Sequence, residues 1–322
     1  MKEIIDDIDR KIIYELDKNS KISDTALSKK INKSKEATRY RIKKLIEKKI
    51  IIGFTTWIDP VKLGYKTIKI YLNLANIPEK KKEFIEYVKK DKRLFWLGVA
   101  EGAWNAGLTY FVKSNDEFFI LKNDLFSRYK DLILESKTAS VVGIYFHEKN
   151  FLSDQKTEWA SMFTESEDTK IDALSIKITK ALFKNSRENI AKIAYDNKTS
   201  VDKVRTRIRN LEESGIIKKY TIMLNYEKLG YEFYKTFLYF KSLNENELKD
   251  LMNYTLKNKN TIHLVKAISP WDIELEIMCR NFIEYNEIIS NLTEKFSSSI
   301  GKVETSIMSE DHVFPSNTLV FE

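Results

Sequence analysis

Residues 6–18 place Ile8, Ile12 and Leu16 at every fourth position, behind Asp6 and Asp7. On a turn of 3.6 residues this spacing puts the three on one face, and either aspartate can cap the first turn, so an amphipathic helix is predicted. A second short helix is expected from 24 to 31, with Leu27 and Ile31 inward. The third opens on Ser34, a good N-cap, carries Glu36 in its first turn, and shows a stripe of Thr38, Ile42 and Leu45 with Ile46 at its edge. Two short β-prone runs follow, 50–54 and 55–58. We read them as a hairpin, which makes the unit a winged helix–turn–helix.

The rhythm then changes. Residues 67–74 alternate, with Ile68, Ile70, Leu72 and Leu74 on one side, as a strand does. Residues 80–90 form a helical pattern with Phe84, Tyr87 and Val88 inward. Strands are expected at 94–100 and 106–112 around the loop EGAWN, then a helix at 116–128 and a closing strand at 138–147. The order β-α-β-β-α-β is a ferredoxin-like unit.

The whole pattern occurs twice. Residues 16–64 align without a gap on residues 182–230, from Leu16/Leu182 to Gly64/Gly230. In the second copy the helix stripe is Val204, Ile208 and Leu211, and the paired runs are 216–220 and 221–224. The second β-α-β-β-α-β unit spans strands and helices at 235–241, 245–257, 263–268, 273–279, 282–296 and 303–308. A self-match at half the chain length means two copies of one module. The fold class is therefore α+β: two winged helix–turn–helix domains (1–60 and 171–226), each followed by a ferredoxin-like domain (61–148 and 227–322). Residues 149–170 show no period and read as a connector, with a helical turn around Trp159.

Composition adds three points. A formal net charge of +8 suits a polyanionic partner such as nucleic acid, although a lysine-rich solvated surface would give the same total. Cys279 is the lone cysteine, so an internal disulfide or a cysteine metal cluster is excluded and a reducing cytoplasm fits. No apolar run approaches the roughly 18 residues of a membrane span, and the acidic start MKEIIDDIDRK lacks a signal-peptide core.

The charge is concentrated on the third helix of each copy. Residues 33–49 hold Lys and Arg at 33, 35, 39, 41, 43, 44, 48 and 49 against Glu36 and Glu47. The apolar stripe leaves Lys35, Glu36, Arg39, Tyr40 and Lys43 outward in the first copy, and Val201, Asp202, Lys203, Arg205, Thr206 and Arg209 in the second. A helix that reads the major groove needs this arrangement: residues near its N-terminus reach base edges while flanking Lys and Arg neutralise phosphates. The candidate DNA-binding residues are Ser34, Lys35, Arg39, Tyr40, Arg41, Lys43 and Lys44, with Ser200, Lys203, Arg205, Thr206, Arg207 and Arg209 in the second copy. Arg39 and Arg205 are the candidates for base contact, because a guanidinium can grip guanine with two hydrogen bonds. Arg41 and Arg207 lie nearer the core edge, where they would hold phosphate or an acidic neighbour.

The run D-x-x-D-R-K-I at 6–12, Ser34 with Arg41-Ile42-x-x-Leu45, Ser200 with Arg207-Ile208-x-x-Leu211, and the I-x-G-F … L-G-Y passage into the second domain resemble the Lrp/AsnC (leucine-responsive, feast/famine) transcription regulators. The resemblance covers nearly the whole chain, twice. It implies a double-stranded DNA partner, sheet pairing between β-α-β-β-α-β domains, homo-oligomers, and a small amino-acid-like effector near a Gly-x-Tyr-Asp-like loop. The matching positions are Gly102, Trp104 and Asn105, and Ser269, Trp271 and Asp272. The preferred reading of the two indoles is that each plugs the sheet edge or the interface between β-α-β-β-α-β units, the alternative being an aromatic wall of the effector pocket. Departures are Asn105 and Ser269 within those loops, and Lys49 where the family ends its reading helix on Gly; Gly215 keeps that Gly. In a tandem chain, the sheet pairing that normally joins subunits is expected within one polypeptide.

Two rival readings use the same chain. Some relatives of this fold pair are siroheme decarboxylases, which would need basic and His residues around a tetrapyrrole; His147, His263 and His312 are the three histidines. An architectural, chromatin-like binder would use the same Lys and Arg. No metal spacing, Gly-rich phosphate loop or nucleophile motif is present, so no cofactor, metal or catalytic residue is expected.

Overall fold

The computed structural model describes residues 5–152, 159–162 and 171–314. Each copy begins with three helices: α1 (Asp7–Lys18), α2 (Asp24–Lys30) and α3 (Lys35–Glu47) in the first. Asp6, Ser23 and Ser34 cap them with their side chains, each accepting an amide hydrogen from the first turn. The stripe Thr38, Ile42 and Leu45 is buried as expected, whereas Ile46 is exposed.

The predicted hairpin is absent. One continuous strand, β1 (Ile51–Ile58), follows α3, and it pairs antiparallel with the corresponding strand of the other copy, β7 (Ile217–Leu224). Nothing in 50–58 supplies the left-handed turn residues that a tight hairpin needs; Gly53 keeps a negative φ. The run stays extended and its backbone is satisfied by its own duplicate, with Thr55 opposite Thr221.

The first β-α-β-β-α-β unit comprises β2 (Lys66–Leu74), α4 (Pro78–Lys89), β3 (Leu94–Gly102), β4 (Ala106–Val112), α5 (Asn115–Arg128) and β5 (Ile133–His147). A short strand, β6 (Trp159–Met162), then pairs with the end of β5, where a helical turn was expected. The second copy follows as α6 (Ala173–Lys184), α7 (Ile190–Asp196), α8 (Val201–Glu213), β7, β8 (Glu232–Phe240), α9 (Glu245–Lys257), β9 (Thr261–Ile268), β10 (Ile273–Cys279), α10 (Phe282–Lys295) and β11 (Ile300–Val313).

The two units share one closed barrel of eight strands, ordered β5–β2–β4–β3–β11–β8–β10–β9 and back to β5, antiparallel throughout. Closure depends on β5 and β11, each longer than its alternation suggested. Residues 133–140 of β5 complete their own sheet on β2, and residues 140–146 cross to β9 of the other copy. β11 mirrors this, lying on β8 at 300–307 and on β3 at 306–313.

Outward residues of β2 (Ile68, Ile70, Leu72, Leu74) pack on Phe84, Val88, Leu121 and Leu125 of the covering helices. Tyr71, Trp96, Trp104, Phe237 and Trp271 form an aromatic core of their own. Gly98 and Gly107 make room for it: a Cβ at either would lie within 2.5–2.8 Å of the Trp96 ring.

The heads are exchanged. The core of the first, built on Ile12, Leu16, Leu27, Ile42 and Leu45, is completed by Ile222, Leu224, Tyr231 and Phe233 of the second copy. The second head, built on Ile178, Leu182 and Val204, packs on Ile58, Tyr65 and Phe111 of the first. Each fully buried Ile or Leu contributes about 1.5–3 kcal/mol, so these foreign side chains bind the copies into one cooperative body.

Candidate nucleic-acid interface

The α3 and α8 faces carry the sequence-predicted residues in two distinct settings. Ser34 and Ser200 are caps, accepting from Ala37 N at 3.1 Å and Lys203 N at 3.2 Å. Lys35, Arg39, Tyr40, Lys43, Lys44, Lys203, Arg205, Thr206 and Arg209 are exposed. The Arg39 Nε meets Asp24 Oδ2 at 2.5 Å, and Arg205 Nη1 meets Asp202 Oδ1 at 3.0 Å. Lys43 and Lys44 reach Glu47 at 3.8 and 2.8 Å. Exposed pairs of this kind hold little energy, so a phosphate or base edge can replace the carboxylate.

Arg41 and Arg207 are turned back toward the core. Asp6 accepts from Asp9 N at 2.8 Å and meets Arg41 Nη1 at 2.8 Å; Arg41 also reaches Asp9 at 2.8 Å. The equivalent Asp172 accepts from Ser175 N at 2.7 Å and meets Arg207 Nη2 at 2.6 Å. Burial opposes the charge of Asp6, yet the Asp9 amide and Arg41 together hold its carboxyl below the ordinary carboxylate range. The Ser175 amide, with Arg207 behind it, does the same for Asp172. One carboxylate thus caps the first helix of each head and anchors its reading helix. Of the alternatives left open by the sequence, both arginines take an acidic neighbour.

The Trp loops point inward. Trp104 and Trp271 are fully buried in the aromatic core: Tyr71 lies 4.9 Å from Trp104 and 5.4 Å from Trp271 by ring centroid, and Phe237 stacks on Trp271 at 4.3 Å. Asn105 Oδ1 accepts from Leu74 N at 2.9 Å, and Asp272 Oδ2 from Phe240 N at 2.9 Å. The Ser269 hydroxyl donates to the carbonyl of Trp271. Gly102 has φ +130°, and a Cβ there would lie 2.4 Å from the Thr305 carbonyl. The space beside Trp104 is about 10 Å³, enough for a water.

A larger cavity of about 250 Å³ lies between the β1–β7 ribbon and the barrel, lined by residues of both copies. Its walls are aromatic, including Trp57 on Phe146 at 3.5 Å between centroids, and its barrel side is charged. Lys69 and Lys235, the same position in the two copies, donate to Glu274 Oε1 at 2.8 and 2.9 Å; Lys235 also donates to Glu276 Oε1 at 2.6 Å. His263 holds the other Glu276 oxygen. Burial works against both carboxylates, but the lysines prevail and keep Glu274 and Glu276 below their usual range. Asp311 also faces this space and accepts from Trp96 Nε1 at 2.6 Å. The sequence reading missed this cluster. Its signal was a lysine at the same place in two apolar strands, TIKIYL and YKTFLY, facing IELEIM.

Comparison with known proteins agrees with the fold and the heads. An AsnC-type helix–turn–helix domain model matches residues 5–46. The HTH-type transcriptional regulator LrpA of Bacillus subtilis is 31% identical over 119 residues, covering 37% of this chain and 78% of LrpA. An uncharacterized HTH-type transcriptional regulator of Pyrococcus horikoshii is 28% identical over 123 residues, covering 38% of this chain and 82% of its own. Among solved structures, the siroheme decarboxylase NirDL superposes with a TM-score of 0.65 over 95% of this chain and 92% of its own, at 12% identity, a likeness of fold. No helix among the described residues is long and apolar enough to cross a membrane. Taken with the duplicated heads and the shared barrel, these matches make the chain a member of the Lrp/AsnC family, with the family's two-domain unit present twice in one polypeptide.

Proposed function

We propose that this protein is a sequence-specific DNA-binding transcription regulator in which one chain does what a dimer does. The observation that carries the reading is the pair of exposed basic faces, α3 and α8, on heads related by an internal twofold. Arg39 and Arg205 are the base-reading residues, and Lys35, Lys43, Lys44, Lys203 and Arg209 neutralise phosphates. Tyr40 and Thr206 flank them. Heads reading one face of a duplex take half-sites about 34 Å apart, or a multiple. Because α3 and α8 differ in their outward residues, the two half-sites differ in sequence.

We assign the Trp loops to packing. An amino-acid-like effector there would have to displace Asn105 and Asp272 from backbone amides. We assign no catalytic step: the lysines of the cavity are committed to Glu274, Glu276 and Asp17, whereas a polyanionic tetrapyrrole calls for free cations.

Selection of bound sequences from random DNA, with the protein's mass measured in solution, tests the reading. A two-part motif bound by a chain of monomer mass is expected, with a preference of about a thousandfold or more over bulk DNA. Tight binding with no enriched motif would move the protein to the architectural class. A Soret band on the purified protein, or on mixing it with the iron-uroporphyrin III analogue bound by NirDL, would move it to tetrapyrrole chemistry.

A further inference from the structure

The cavity is not symmetric. At equivalent places on its two sides stand Trp96 and His263, Thr109 and Glu276, and Ile144 and Asp311. The second copy has put acids where the first has neutral groups. Lys69 and Lys235 are balanced by Glu274 and Glu276, and Lys149 by Asp17. Lys219 shares that Asp17. Asp311 pairs directly with no cation among the described residues, and its one hydrogen bond there comes from Trp96. Its side chain is accessible and forms part of the cavity lining. The Thr67 hydroxyl, 4% exposed on the same lining, also has no hydrogen-bond partner among the described residues. An accessible carboxyl without a cation and a buried hydroxyl without a partner thus line one cavity, and both can accept from a donor that enters it.

We propose that this cavity is a binding site for a small organic amine, its ammonium group on Asp311 and its apolar body against Trp57, Trp96 and Phe146. The volume suits a molecule larger than benzene, which occupies cavities of about 150 Å³. Aromatic walls favour a cation near their faces, and Lys235 already uses the Trp96 ring this way at 4.2 Å. The charge of the occupant follows from the acid without a cation, since a carboxylate ligand would bring a third negative group beside Asp311 and Glu276. An occupant touches Trp57 and Ile222 of the head-bearing ribbon and Asp311 of the barrel together.

The test uses the intact chain without DNA, so its outcome is independent of the DNA-binding reading. Phenethylamine and phenylacetate, equal in ring and differing in charge, are titrated by calorimetry and by tryptophan fluorescence. Phenethylamine is expected to bind with one site per chain, and phenylacetate at least tenfold more weakly. Asp311→Asn is expected to weaken the amine at least tenfold, the scale of a lost hydrogen bond to a charged group. Phenylacetate binding as well as the amine, neither binding, or an amine affinity unchanged in Asp311→Asn would each overturn the proposal. The comparison of the two ligands on the unaltered chain stands even if the variant fails to fold.

Discussion

The hydroxyl oxygens of Ser20 and Ser186 lie 2.7 Å apart, buried, and the two residues are 166 positions apart in sequence, the offset of the repeat. Equivalent residues can touch only on the axis that relates them. The internal twofold therefore passes between the α1–α2 and α6–α7 turns and through the Thr55–Thr221 pair of the ribbon. The heads meet at their backs, and their α3 and α8 faces are repeated about that axis. Ser20 N also donates to the Tyr220 carbonyl at 3.0 Å and Ser186 N to that of Phe54 at 3.2 Å, which fixes each head to the ribbon strand next to it.

Removing one hydroxyl leaves the other buried without a partner. Ser20→Ala or Ser186→Ala is expected to cost about 1–3 kcal/mol, and the double variant less than the sum of the two. Urea denaturation of all four proteins measures the coupling. Strictly additive losses would remove the pair from the axis contact.

Arg39→Ala and Arg205→Ala should weaken binding to the selected site more than to bulk DNA, by about 1–3 kcal/mol in discrimination at one position of each half-site. Lys43→Ala and Lys44→Ala should weaken both alike and lower the salt slope by about one each. Titrations at several salt concentrations separate the classes. Equal losses on both DNAs for the arginine variants would sink their base-reading role.

His147 is buried, and its Nδ1 donates to the Thr261 carbonyl at 3.1 Å. Burial brings its pKa down from 6.5 to about 4. The unfolded chain takes up this proton near 6.5 and the folded chain only near 4, so the contribution is intact above pH 6.5. It is lost as the pH falls through that window, by about 3 kcal/mol in all. His147→Asn should flatten the pH dependence of stability between those values. A slope unchanged in the variant would assign the acid loss to other groups.

Lys49 sits at φ +55°, just past α3, with its amide on the Ile46 carbonyl at 2.8 Å and that of Ile50 on Leu45 at 2.9 Å. This is the helix ending that glycine favours, and Gly215 fills the same place at φ +69°. Lys49→Gly should stabilise the protein by about 1 kcal/mol and Gly215→Lys destabilise it by a similar amount. Thermal melts of the two variants should shift in opposite directions.

The sequence by itself determined the local units. Capping residues with apolar residues at helical spacing define α1, α3 and α8. Alternation defines β2, and self-similarity shows that there are two copies and carries the strand readings into the second. Those signals are short-range, arising from one side chain's relation to its own backbone turn or pleat. Only the tertiary structure decided which copy satisfies which strand. The run 50–58 reads as a hairpin because nothing local announces a partner 166 residues away, and the strand predicted at 303–308 stops short of the charged end SEDHV of β11 because the strand that pairs with that end, β3, lies in the other copy. The same long-range pairing brings Lys69 of the first copy onto Glu274 of the second and places Asp311 at the cavity. A lone lysine in an apolar strand looks like an irregularity until the opposing carboxylate is in view. Burial, and with it the cost of an unpaired charge, is a property of the assembled barrel.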